Sequence, residues 1–359
     1  MTHSITVSLG DRSYPIHIGS FAEGWAAIAK QIESRKAIII TDETVASHYG
    51  PMLRGFFPET PLFSIEAGEA SKSLGNYAKL AEKILAENIR RDSVIIAIGG
   101  GVVGDLAGFL AGTLMRGISF IQVPTTLLAQ VDSSVGGKTG VNTLSGKNLV
   151  GVFHQPDAVI CDPAFLASLP EREYRAGLAE VLKYGLIADS GFFDWLLANE
   201  AAIDARDTQV LGYIIQRSCE IKADIVGQDE FETANIRMKL NYGHTFGHAL
   251  ELMANYDGSL LHGEVVAIGM YMAAHLSRYS GLIEDADVAR VKQALELLKL
   301  PVTTSNISPE RMLEVMAGDK KADSKGIRFV VLNKIGQADI LRVADHQIVR
   351  QSIEAALTR

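Results

Sequence analysis

The chain has little cysteine, no long apolar run and no excess of basic charge, and each shortage removes a class of protein. Its two cysteines, Cys161 and Cys219, stand far apart and alone, so neither a disulfide framework nor a cysteine zinc site can be read from them. Both read as small buried apolar residues. Glycine or charge breaks every apolar run well short of the roughly 20 residues that a bilayer span needs, so no membrane partner is expected. The start, Met1-Thr2-His3-Ser4, lacks the basic and apolar segments of a secretory signal, and a cytoplasmic protein is expected. A net charge of -8 argues against nucleic acid as a partner, because such binders need a basic surface to displace counterions. Internal repeats and low-complexity linkers are missing too. What remains is an ordinary globular composition, 47% hydrophobic and 21% charged, which excludes wholesale disorder. At about 100–200 residues per domain, the 359 residues predict two domains.

The first part of the chain alternates short strand-like runs with helical stretches. Ile5–Leu9 and Tyr14–Ile18 alternate around Gly10-Asp11, a hairpin signal. Ala37–Ile40, Leu62–Ile65, Val94–Ile98, Phe120–Val123 and Ala158–Ile160 are continuous apolar runs, as expected of parallel strands buried on both faces. Amphipathic segments such as Tyr77–Asn88 lie between them. The pattern predicts an α/β fold: an N-terminal Rossmann-like parallel-sheet domain over residues 1–162, binding its ligand beyond the carboxyl ends of the strands. After Asp162 the segments 171–187, 208–225, 239–254, 263–280 and 286–298 show helical periodicity. They predict a mostly α-helical second domain over 163–359, with a late hairpin from 327–332 and 338–343 and a terminal helix. A cleft between the domains is the expected place for chemistry.

Three groups of residues carry that chemistry. Gly99-Gly100-Gly101-Val102-Val103-Gly104-Asp105 follows a strand and opens a helix, satisfying G-x-G-x-x-G in the required setting. Such glycines let backbone approach a pyrophosphate at a helix N-terminus; the plainer reading is a tight turn with close packing. No acidic residue follows about 20 positions on to hold a ribose, so Asp42, ending an earlier strand, takes that role. Asp132-Ser133-Ser134-Val135-Gly136-Gly137-Lys138-Thr139 fails the P-loop pattern at its first position, which must be glycine. With Lys147 and Asn148, Lys138 still reads as part of a flexible, glycine-rich anion cradle rather than as solvated surface. Further along, His244 and His248 stand four apart, a chelating spacing on one helix face, with His262 beyond. Glu180 is a lone acid in an apolar helix that needs a cation or strong donor. Two or three His with one Glu suit Zn2+ or a similar ion, and spacing alone favours His244 with His248 as the pair.

Over nearly its whole length the chain resembles the 3-dehydroquinate synthases, which close the first carbocyclic ring of the shikimate pathway. The resemblance runs through Gly68–Lys72, Gly99–Asp105, Met115–Gly117, Gln122–Lys138, Gly146–Asn148, Ala179–Gly185, Asn241–Glu251 and His262–Glu264. It implies a Rossmann-like NAD domain, a helical domain and a homodimer. It also implies a divalent metal, Zn2+ or Co2+, on Glu180, His244 and His262, with His248 facing the substrate instead. The implied NAD contacts are Asp42, Glu69, Lys72, Gly101, Val102, Val103, Gly104, Asp105, Thr125, Thr126, Lys138 and Lys147, with Phe165, Leu166, Ala167 and Ser168 near the adenine. The implied substrate contacts are Arg116 from the partner subunit, Asp132, Lys138, Asn148, Lys183, Lys222, Arg237, Asn241, His248 and one of Lys320 or Lys321. The substrate so implied is a small phosphorylated sugar acid, 3-deoxy-D-arabino-heptulosonate 7-phosphate. Transient oxidation at C5, phosphate elimination, re-reduction, ring opening and aldol closure would turn it into 3-dehydroquinate. The substrate phosphate itself can take the C6 proton, and no side chain is nominated for that step. The rival readings are a sister cyclase for another sugar phosphate, a metal-dependent polyol dehydrogenase, a P-loop phosphotransferase and a catalytically dead metabolite-binding protein.

Overall fold

The computed structural model describes residues 3–254, 260–305, 307–317, 322–323 and 326–358. The Gly10-Asp11 hairpin forms as its alternation demands, β1 (His3–Val7) pairing antiparallel with β2 (Tyr14–Ile18). Helices and strands then alternate: α1 (Phe21–Ile32), β3 (Ala37–Asp42), α2 (Glu43–Phe56), β4 (Leu62–Ile65), α3 (Leu74–Ala86), β5 (Val94–Gly99), α4 (Gly101–Thr113) and β6 (Ser119–Pro124). A hairpin of β7 (Lys138–Thr143) and β8 (Gly146–Phe153) precedes β9 (Ala158–Cys161). The main sheet runs β1-β2-β9-β6-β5-β3-β4, and every neighbouring pair but β1 with β2 is parallel. All six residues of β5 are buried, which is why its sequence shows no alternation. The order turns at β3: β4 lies to one side, while β5, β6 and β9 extend the other. The carboxyl ends of β3 and β5 therefore flank a topological switch point, where open α/β sheets bind ligands.

The segment holding Lys138, Lys147 and Asn148 differs from the flexible cradle expected of it. It is a paired β-hairpin, in which Gly140 stands opposite Gly151. Glycine here permits close approach of two strands rather than chain freedom.

Later elements are mostly helical: α5 (Glu171–Ala188), α6 (Ser190–Ala198), α7 (Glu200–Asp204), α8 (Thr208–Gln228), α9 (His244–Met253), α10 (His262–Tyr279), α11 (Asp285–Leu297) and α12 (Pro309–Ala317). A small sheet of β10 (Ala322–Asp323), β11 (Gly326–Lys334) and β12 (Gln337–Val343) and then α13 (His346–Glu354) follow. By packing, the chain divides into two units, residues 1–170 with 211–231, and residues 171–210 with 232–359. The boundary is thus discontinuous, unlike a single cut after Asp162. Most of α8 returns to the first unit and brings Lys222 with it.

Candidate active site

In the first unit, β5 leads into Gly100, the N-cap of α4, and among the described residues no side chain caps this helix. Its first turn offers backbone N–H groups and the positive end of the helix dipole, a setting for an anion. Gly104 also serves packing, because a Cβ there would meet Gln122 Oε1 on β6 at 2.7 Å. Val103 is buried, while Gly101, Val102 and Asp105 are half-buried. Asp105 is ion-paired with the buried Lys72, and burial raises its carboxyl despite that partner. Asn142 of β7 donates to Glu69 Oε1 at 2.7 Å from its side chain and to the Lys72 carbonyl at 2.8 Å from its backbone. These bonds tie the 69–72 turn to the hairpin that carries Lys138 and Lys147. Asp42 ends β3 at the switch point and accepts from Val45 N at 2.9 Å, capping α2.

Past β6, Thr125 N donates to the Gly99 carbonyl at 3.0 Å and Thr126 Oγ1 accepts from Ala129 N at 3.2 Å. The next residues, Ala129–Ser133, form a single π turn that carries Asp132, a distortion frequent at functional sites. Lys222 Nζ, buried, reaches Asp132 Oδ1 at 2.9 Å and donates to its carbonyl at 2.7 Å. Phe165 and Leu166 are buried in a 3-10 turn whose Ala167 and Ser168 are exposed. The Tyr49 hydroxyl donates to the Phe165 carbonyl at 3.1 Å. Cys161 and Cys219, far apart in sequence, are buried as expected but not apart in space: both thiols face the Gln130 carbonyl, at 3.8 and 3.2 Å.

In the second unit, every residue of α5 from Tyr174 to Ile187 is buried, so Glu180 and Lys183 point into protein. Each is 1% exposed, and Lys183 Nζ lies against Glu180 Oε2. Even so, neither Glu180 oxygen has a well-aligned hydrogen bond among the described residues. Gly263 brings α10 against α5: a Cβ there would lie 1.9 Å from the Ala176 carbonyl, so only glycine allows the approach that sets His262 beside Glu180. Glu264 fixes the start of α10 by accepting from Leu261 N at 2.7 Å and from two Arg172 nitrogens, each at 2.7 Å. His244 opens α9 with Nδ1 3.2 Å from the Tyr242 carbonyl, leaving Nε2 3.5 Å from Glu180 Oε1. His262 Nε2 lies 3.5 Å from the same oxygen. The three ligand atoms stand within 4.8 Å of one another, and a buried carboxylate with two imidazole nitrogens fits Zn2+ or Co2+.

The charges of this group follow from its surroundings. Burial holds His244 well below the ordinary imidazole range, and Lys183 works the same way. Burial acts against the charge of His262 too, yet Glu180 and Glu251 outweigh it and push the group up to about 9. Burial would raise Glu180, but Lys183 and the two imidazoles hold it well below the usual carboxylate range.

His248 is half-buried, its ring 5.4 Å from that of His244 and nearly perpendicular to it. Among the described residues no group of three joins His244 to His248, so the pair favoured by spacing alone is not the one the fold assembles. His248 falls instead with Glu251 and His262. Arg237 is buried in the 3-10 turn that ends at Asn241, and Asn241 Nδ2 donates to Glu232 Oε1 at 3.4 Å. Glu232 and Glu251 escaped the sequence reading. Glu251 had a signal, standing seven residues, two helical turns, after His244; Glu232, in an irregular stretch, had none. Lys320 and Lys321 lie outside the described residues. Among the described residues no helix is long and apolar enough to cross a membrane.

The descriptions 3-dehydroquinate synthase N-terminal and 3-dehydroquinate synthase C-terminal match residues 62–176 and 177–322. The 3-dehydroquinate synthase of Acidithiobacillus ferrooxidans is 47% identical over 357 residues, covering 98% of this chain and 98% of its own. Among solved structures, the 2-epi-5-epi-valiolone synthase ValA of Streptomyces hygroscopicus subsp. jinggangensis 5008, with NAD+ and Zn2+ bound, matches with a TM-score of 0.87. It is 27% identical, over 97% of this chain and 98% of that one. A 2-deoxy-scyllo-inosose synthase complexed with carbaglucose-6-phosphate, NAD+ and Co2+ gives a TM-score of 0.85 at 26% identity, over 99% and 100% of the two chains. Parallel-sheet unit, glycine turn and Glu–His–His group together define an enzyme of the sugar-phosphate cyclase fold. Within that class the chain belongs to the 3-dehydroquinate synthase family, and 3-dehydroquinate synthase activity follows from near-complete coverage at that identity.

Proposed function

We propose that the chain converts 3-deoxy-D-arabino-heptulosonate 7-phosphate to 3-dehydroquinate and phosphate, using NAD and one divalent metal held by Glu180, His244 and His262. The observation that carries the reading is the buried Glu180 carboxylate, facing two imidazoles and lacking a well-aligned hydrogen bond, in a chain of this family. Once bound, NAD supplies a hydride acceptor and donor for C5, and the metal supplies a Lewis acid for the C4 and C5 hydroxyls. The protein's own work is to bind, orient and neutralise a multiply charged molecule.

In the first unit, Asp42 is assigned to the ribose, Gly101–Asp105 to the pyrophosphate, and Phe165–Ser168 to the adenine end. Glu69, Lys72, Thr125, Thr126, Lys138 and Lys147 complete that surface. The switch-point position of Asp42 and the glycine turn supports this assignment. Lys222, set by Asp132, suits the substrate carboxylate, while Lys138 and Asn148 suit its phosphate. In the second unit, Arg237 is assigned to the carboxylate, and Lys183, Asn241 and His248 to the rest of the substrate.

A cytoplasmic homodimer, with Arg116 serving the neighbouring chain, belongs to the same reading. Met115 and Arg116 hold φ of 53° and 68°, and Arg116 is exposed. Strain of that kind persists where surrounding structure enforces it and gathers at functional sites. The test is phosphate release from the heptulosonate phosphate with NAD+ and Co2+, with NADH absorbance followed throughout. Phosphate and 3-dehydroquinate in equal amounts without NADH build-up are expected. Steady NADH accumulation, or no release, would overturn the reading in favour of a polyol dehydrogenase or a sister cyclase.

A further inference from the structure

A carboxylate stands behind one of the two candidate ligand histidines and not behind the other. Glu251, 8% exposed, lies on α9 two turns after His244. Its Oε1 is 3.5 Å from His262 Nδ1, across the ring from the Nε2 that faces Glu180. His244 has a backbone carbonyl in the equivalent place, that of Tyr242. The two histidines also differ in how firmly packing holds them. His244 is buried, whereas the His262 side chain, at the first residue of α10, is 36% exposed.

We propose that Glu251 is the positioning residue for His262, an inference that rests on the metal reading of this site. Its carboxylate accepts from Nδ1–H, fixes the tautomer whose lone pair lies on Nε2, and holds that nitrogen toward Glu180 and His244. A carboxylate behind a ligand imidazole orients the ring and raises its basicity. Glu251, His248 and His262 also stand close enough to form a ligand group themselves. His262 belongs to both groups, however, and a neutral imidazole has one lone pair. Two ions would require it to lose both protons, so a single ion with Glu251 behind it is the simpler chemistry.

The experiment is a Co2+ titration of the full chain after chelator treatment, read by visible absorption, on wild type, Glu251→Gln and Glu251→Ala. All three should bind one ion. Affinity should fall roughly 10–100-fold in Glu251→Ala and less in Glu251→Gln, which keeps the accepting oxygen. The Co2+ spectrum should shift while the metal-free proteins melt together, which separates positioning from a folding defect. Wild-type affinity and spectrum in both variants would overturn the proposal. So would two ions per chain falling to one in Glu251→Ala, because Glu251 would then be a ligand. A wild type that binds no Co2+ would overturn the metal reading itself, and this inference with it.

Discussion

At Gly104 the helix α4 passes so close to β6 that a methyl group would lie 2.7 Å from Gln122 Oε1. Gln122 cannot simply swing aside, since its Nε2 donates to the Ser134 carbonyl at 3.3 Å. Gly104→Ala should therefore push α4 outward at roughly 1–3 kcal/mol of overpacking and move the first-turn N–H groups that are assigned to the pyrophosphate. NAD+ affinity, measured by calorimetric titration, should drop about tenfold or more while the fold persists. An unchanged affinity would take Gly104 out of the site. The glycine pattern was legible from sequence, but the side chain it packs against was not, because a strand residue 18 positions later comes near only through the sheet. Cys161 and Cys219 repeat the lesson, since two unrelated segments bring them to one carbonyl. The metal group was half legible: residue types raised Glu180, His244, His248 and His262 as candidates, spacing favoured His244 with His248, and resemblance pointed to Glu180, His244 and His262. Spacing along one helix cannot register a ligand that close packing at Gly263 brings in from another.

Among elements, α10 shows how one buried hydroxyl ties a helix to a sheet. Ser277 Oγ donates to the Ala273 carbonyl at 2.7 Å and accepts from Leu332 N of β11 at 2.9 Å, with no exposure to solvent. Ser277→Ala leaves the Leu332 N–H buried without its acceptor, which costs about 1–3 kcal/mol. The urea midpoint should fall accordingly, and the Leu332 amide should exchange faster. A variant as stable as wild type, with Leu332 still protected, would show that this tie contributes nothing. The long elements were legible because their patterns are strong: buried strands as continuous apolar runs, and α5, α8, α10 and α11 as helical periods. The strands β7 and β8 were hidden, because Gly140, Gly146 and Gly151 read as chain freedom. The start of α9 was placed early, because apolar period continues back through Lys239 while the backbone breaks at Gly243, whose φ is +80°. Short α6, α7 and α12 left too little pattern to see.

For the molecule as a whole, composition pointed to an ordinary globular protein and argued against a nucleic-acid partner, but no local signal marks where α8 passes from the second packing unit to the first. Only its first three residues, 208–210, fall in the second unit, too few to show a period. What composition does support is a prediction about acid. The chain carries 42 acidic and 34 basic residues, and several carboxyls are held below their ordinary range in the folded state. Lys299 and Arg175 do this for Asp204. For Glu171 and Glu264 burial opposes the shift, and the neighbouring arginines outweigh it. Fewer move the other way, Asp105 and Glu173 among them, both raised by burial. A depressed carboxyl stays ionised when folded at a pH where the unfolded chain already binds the proton. Its stabilisation is therefore complete above the unfolded value, about 4, and is lost as pH falls through the lower folded value. The wild-type melting midpoint should accordingly fall between pH 5 and pH 3. Asp204→Asn removes one such group, so it should melt lower than wild type at pH 7, on the order of a few degrees. The gap between the two curves should hold above about pH 4 and narrow as pH falls below it, closing once wild-type Asp204 is protonated as well. Scanning calorimetry across that range decides the matter, and a gap at pH 3 as wide as at pH 7 would mean that Asp204 stabilises the protein by something other than its charge.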